Sequence, residues 1–117
     1  VNVDARASFG DIKAEGIGGK CILESRNGKI KAIDIGGDVD IDNSFGDIEV
    51  NNVEGRADIV NRNGEISADR ISGPVVIEGR FGDIKAAAIG GDLKITSSNG
   101  RIEAEDIKFL WRYLFQI

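Results

Sequence analysis

Apolar and polar residues alternate in short runs along almost the whole chain, and each run is preceded by glycine. Pairs such as Ile30 and Ala32, Val39 and Ile41, or Leu93 and Ile95 stand two residues apart, with Asp, Glu, Lys, Arg, Ser or Asn between or beside them. Period two places apolar side chains on one side of a strand and polar ones on the other. The glycines predict corners, where a tight or positive-φ backbone is needed. Helix is excluded on the same ground. The sixteen glycines are spread through every run, and each would cost a helix about 1 kcal/mol.

The runs repeat. Units begin at Phe9, Asn27, Phe45, Asn63, Phe81 and Asn99, eighteen residues apart without insertion. Glycine is second in every unit (Gly10, Gly28, Gly46, Gly64, Gly82, Gly100) and isoleucine fourth (Ile12, Ile30, Ile48, Ile66, Ile84, Ile102). A small residue follows two places on, then an aliphatic at Ile17, Ile35, Val53, Ile71, Ile89 or Ile107, then a second glycine and a final apolar pair. Each unit therefore divides into two nine-residue halves, as in "SFGDIEVNN" and "VEGRADIVN". Strands this short are not stable alone. Stacking at about 4.8 Å satisfies their backbone groups and aligns the apolar positions in columns.

The expected fold is all-β, a single-stranded β-solenoid of about six 18-residue coils and roughly 30 Å in length. About five side chains per coil point inward, and each fully buried isoleucine contributes about 1.5–3 kcal/mol. The first position of the unit alternates Phe and Asn, a period of thirty-six. A coil of eighteen residues with an alternating corner column is favoured over a coil of thirty-six, because a narrow interior fills without voids. Handedness is left open by the pattern.

The repeat covers residues 1–108, and residues 109–117 form a distinct aromatic strand. Phe109 stands where the second glycine belongs, and Trp111 and Tyr113 fall in the inward slots. Two roles are open to it. The rings can plug the end of the stack as a cap, or the strand, with Leu110, Leu114 and Phe115 on its other side, can be an association surface. At the other end Val3 and Ala5 fit the inward slots directly, so the first coil is expected to be an open edge, suited to end-to-end association. The chain opens already inside a repeat, which leaves room for an upstream segment.

Composition narrows the chemistry. A net charge of −5 with scattered Lys and Arg disfavours nucleic acid. No apolar run is long enough to span a bilayer. Histidine is absent, which removes the commonest general base and metal ligand. Cys21 has no partner for an internal disulfide and falls in an inward slot, as a small apolar side chain would. Ser25, Ser44 and Ser72 have no histidine to activate them. Asp38, Asp40, Asp42 and Glu49 match a calcium-loop spacing, but Asn43 replaces the turn glycine and alternation with Val39 and Ile41 puts the aspartates outside a strand. They read as a solvated acidic face. "IGGDVDID" likewise lacks the third glycine and spaced aspartate of calcium-binding β-rolls. No cofactor and no enzymatic activity are expected.

The phrases "SFGDI", "RNGEI" and "IGGDV" resemble a bacterial adhesin-like family of unassigned function, built of Gly-Asp-Ile/Val units spaced by nine and eighteen. The resemblance covers Val1 to about Ile107. It implies a non-enzymatic β-solenoid at the cell envelope or surface, with a cell-surface or glycan ligand, and it transfers no site residues. The aromatic tail departs from that pattern. A bactofilin-like solenoid, polymerising end to end as a homo-oligomer, is the alternative, and it keeps a cytoplasmic location open.

Overall fold

The structure, a computed structural model, describes the backbone of residues 2–115 and the side chains of residues 2–107. The described residues form eleven strands and no helix. In chain order they are β1 (Val3–Phe9), β2 (Ile12–Ile17), β3 (Cys21–Asn27), β4 (Ile30–Ile35), β5 (Val39–Phe45), β6 (Ile48–Val53), β7 (Ala57–Asn63), β8 (Ile66–Ile71), β9 (Val75–Phe81), β10 (Ile84–Asn99) and β11 (Ile102–Phe115). The odd strands β1 to β9 stack as one face and the even strands β2 to β8 as the other. β10 rounds a corner, so that its first half pairs β8 and its second half β9. β11 then stacks on both halves of β10.

Every pairing is parallel, and through residue 107 every rung is displaced by eighteen residues. Ile12, Ile30, Ile48, Ile66, Ile84 and Ile102 are successive register partners on one face. A coil is therefore eighteen residues, and the chain is an all-β solenoid of about six turns. Its extents of 33 × 27 × 13 Å are those of a flattened rod, two sheets thick.

The interior consists of six columns, one more than the apolar pattern implies. Three on the second face carry the isoleucines above, buried from Ile30 to Ile84 and half-buried at Ile12 and Ile102, and the buried small residues Ala14, Ala32, Val50, Ala68 and Ala86 and aliphatics Ile35, Val53, Ile71 and Ile89. On the first face Cys21, Val39, Ala57, Val75 and Leu93 form one buried column, and Leu23, Ile41, Ile59, Ile77 and Ile95 the next. The sixth is polar: Ser25, Asn43, Asn61 and Ser97 are buried in it, with Gly79 among them. These serines and asparagines do not point outward as their polarity suggested. Ser25 Oγ donates to the Gly10 carbonyl at 3.4 Å, Asn43 Nδ2 to Gly28 O at 3.1 Å and Asn61 Nδ2 to Gly46 O at 2.9 Å. The inward hydroxyl and amides thus donate to corner carbonyls, while Asn43 Oδ1, Asn61 Oδ1 and Ser97 Oγ are buried with no partner among the described residues.

The two corners solve different problems. At the first, Gly28, Gly46, Gly64, Gly82 and Gly100 have φ between +128° and +146°, a region open to glycine. At the second, the glycines expected to carry positive φ do not. Gly37 is required instead by close approach, since a Cβ there would stand 2.7 Å from the backbone of Gly19. The left-handed residues sit earlier, at Gly16, Asp34, Asn52, Arg70, Ala88 and Asp106, with φ of 54–70°. Asn and Asp tolerate that conformation, whereas alanine is strained by about 1–2 kcal/mol. Ala88→Gly should therefore raise stability by about 1 kcal/mol despite glycine's greater freedom when unfolded. A rise in the urea midpoint at constant m-value checks this; a fall would show that the strain is not real.

The thirty-six-residue period extends to the third position of the unit, where Asp recurs at every second coil. Asp11 Oδ1 accepts from the backbone N–H of Lys29 at 2.9 Å, Asp47 from Glu65 at 3.0 Å and Asp83 from Arg101 at 3.0 Å. One carboxylate thus closes the corner N–H of the coil above it, at every second rung. The second corner follows suit. Asn2 caps Lys20 N and Asp38 caps Arg56 N. The position above Arg56 is Pro74, the chain's one proline, which has no N–H to cap. Its carbonyl still joins the ladder, accepting from Ala57 N at 3.0 Å.

Candidate interaction surfaces

The residues with chemical potential are dispersed by the register. Asp38, Asp40, Asp42 and Glu49 all point away from the core. Asp38 is engaged with Arg56 N, Asp42 lies 3.8 Å from Arg62 and Glu49 lies 3.5 Å from Lys31. Among the described residues no three of His, Cys, Asp and Glu come together as metal ligands. Ser25 is committed to Gly10 O, and Ser44 Oγ accepts from Arg62 at 3.1 Å. An open trough of about 270 Å³ runs along the second corner, lined by Gly16, Asp34, Asn52 and Glu54 among others. Asn52 Nδ2 donates to Asp34 Oδ1 within it at 2.7 Å. With no helix present, none is long and apolar enough to cross a membrane among the described residues.

Cys21 is buried in the column of Val39 and Ala57, and desolvation pushes its thiol above the ordinary value. The thiolate is the reactive species. Labelling of the native protein by a disulfide reagent should therefore run at the unfolding rate, with full labelling only in denaturant. Prompt native labelling would contradict the buried placement. A folded state that holds the proton more tightly than the unfolded one is stabilised below the ordinary thiol pKa. It loses that stability as pH rises through the folded value.

Among the described residues, the large apolar side chains that stand exposed lie at the first corner. Phe9, Phe45 and Phe81 are 82%, 53% and 53% exposed. Each is the register partner of an asparagine one rung away, giving the file Phe9, Asn27, Phe45, Asn63, Phe81, Asn99. The sequence pattern revealed the alternation but not its exposure.

The tail residues Phe109, Leu110, Trp111, Tyr113, Leu114 and Phe115 have side chains outside the described residues. The backbone of β11 pairs Phe109 with Asp92 and Leu110 with Leu93, one residue short of the eighteen-residue displacement, before Arg112 and Tyr113 regain it against Lys94 and Ile95. At the opposite end Val3, Ala5, Ile12 and Ile17 are half-buried against the core. Among the described residues no strand pairs the outer edge of β1 or β2. No family model matches the chain, and neither a curated protein nor a solved structure shows significant similarity to it.

Proposed function

We propose that this solenoid is a non-enzymatic interaction module, an adhesin-like rod at the bacterial cell envelope or surface. The observation that carries this reading is the file of exposed phenylalanines on a rod whose interior is filled by stacked side chains. A rigid register presents identical groups at a fixed interval, and repeated weak contacts on one molecule add up to avidity. The sequence resemblance points the same way.

A second reading is end-to-end assembly in the manner of bactofilins, which a stack of parallel coils permits because each coil offers a backbone row for the next to pair with. Two measurements separate the two. Binding of the purified chain to bacterial envelope material, with static light scattering reporting a monomer, is the outcome expected for an adhesin-like rod. Filaments at physiological salt in electron micrographs, abolished by removing residues 109–117 or by charges on β1, would favour assembly. A monomer with no affinity for envelope material would sink both.

A further inference from the structure

The phenylalanine file has a period, a flank and a width, and together they specify an occupant. Phe9, Phe45 and Phe81 recur every second rung, about 9.6 Å apart. With the 82%, 53% and 53% exposures, the three rings offer about 400 Å² in all. A stable protein interface needs about 800 Å² per partner. A second globular copy seated on this ridge would therefore be under-buried, whereas a slender linear chain would be contacted along its length.

In an extended β-1,4-linked polysaccharide each ring is turned over relative to the last, so like faces recur every second sugar. Two such sugars span close to two β-rungs. The C–H-bearing face of a pyranose carries slight positive charge, complementary to the negative face of an aromatic ring. Between the rings Asn27 and Asn63, and beyond Phe81 Asn99, present amides that can both donate to and accept from sugar hydroxyls.

The flank adds charge. On the side of the first face the ridge is bordered by Ser8, Arg26, Ser44, Arg62, Arg80 and Ser98, a column with three arginines and no acid in a chain of net charge −5. On the other side Asp11, Asp47 and Asp83 each accept from a backbone N–H of the next coil, interspersed with Lys29, Glu65 and Arg101. An arginine forks onto a carboxylate with two parallel hydrogen bonds. We infer that the first corner is a docking ridge for an extended β-1,4-linked polysaccharide bearing carboxylates, its sugar faces on Phe9, Phe45 and Phe81 and its carboxylates toward Arg26, Arg62 and Arg80. This rests on the adhesin-like reading and names its ligand class and surface.

The test uses the intact chain with two β-1,4-linked hexasaccharides, cellohexaose and its C6-oxidised glucuronate counterpart, by calorimetry or NMR titration at low salt. The oxidised hexamer is expected to bind at least tenfold more tightly than cellohexaose. Phe45→Ser with Phe81→Ser should abolish binding of both, while Arg26→Gln with Arg62→Gln, which leaves Arg80, should cut the preference for the oxidised form at least threefold. Circular dichroism should show both double variants folded, since the altered side chains are exposed. Failure of the wild-type chain to bind either hexamer would overturn the inference, as would equal binding by the phenylalanine variant. Equal affinity for a single-stranded oligonucleotide would also overturn it, because bare polyanion attraction would then suffice. If the phenylalanine variant still binds envelope material as wild type does, the ridge is refuted and the adhesin-like role stands. Loss of both together supports the ridge as that role's surface.

Discussion

Gly64→Ala should destabilise the protein by more than about 4 kcal/mol, a loss large enough to leave little folded chain at ambient temperature. Two costs combine. Gly64 has φ +134°, which an L-side chain rarely adopts, and residues held in such regions cost of order 1–3 kcal/mol. In addition, the hydrogen standing where a Cβ would be points at the Gly46 carbonyl of the coil beneath, so a methyl would collide with backbone O and C. Neither atom can move without opening the ladder, in which Gly46 N donates to Asn63 O at 3.0 Å and Gly64 N to Phe81 O at 2.9 Å. Two controls isolate the collision. Gly10 has φ +114° but open space at its Cβ position, being on the first rung, so Gly10→Ala should cost only about 1–3 kcal/mol. Gly79 lies mid-stack with no positive φ, and its Cβ would meet the flexible Ile84 Cδ1 methyl at 3.2 Å and stand in ordinary contact, at 3.7 Å, with Asn61 O and Ile66 Cδ1; Gly79→Ala should change stability by less than about 1 kcal/mol. Urea unfolding of the three variants reads the series directly. Equal losses at Gly10 and Gly64 would mean that coil-on-coil contact is not what demands glycine.

Much of this was legible in the sequence because a stacked coil has few degrees of freedom. Once Ile30, Ile48 and Ile66 repeat at eighteen with no insertion, a stacked register follows, a coil of eighteen is favoured over thirty-six because its narrow interior fills, and the inward columns of Val39 and Ile41 follow from period two. The same parity contained information that polarity obscured. Asn43 is two residues beyond Ile41 and Asn61 two beyond Ile59, so alternation alone assigns both inward. A rule that sends amides to solvent overlooks the corner carbonyls they satisfy. Phe45 shows the opposite failure. It shares the parity of the inward residues, yet it is the last residue of β5 and the backbone turns at Gly46, leaving the ring 53% exposed. Parity holds only while the strand is straight. The Phe/Asn alternation was visible as a period, but the partner of Asp47 was not, because Glu65 N, which donates to it, becomes its neighbour only in the stacked coil.

The stack also predicts a gradient of mutational cost along its axis. Ile66 is fully buried, with Ile48 and Ile84 as register partners below and above. Ile66→Ala removes its share of apolar burial and leaves a cavity that fixed neighbouring coils cannot collapse into, a loss of about 3–5 kcal/mol. Ile12 occupies the same column on the first rung, where it is only half-buried and has one partner, Ile30. Ile12→Ala should cost about 1 kcal/mol, because less area is lost and solvent reaches the vacancy. In a one-dimensional array each coil is held by its two neighbours. A defect at Ile66 therefore weakens two contacts at once and separates the lower coils from the upper ones, so the urea transition should broaden as well as shift. At the first rung the defect promotes local fraying and leaves the global slope unchanged. Hydrogen exchange should show the same asymmetry: Ile12→Ala accelerating amides of β1 and β2 alone, Ile66→Ala those of β5 to β9. Equal costs at the two sites would mean that the coils unfold as one indivisible block, in which position along the rod has no energetic meaning.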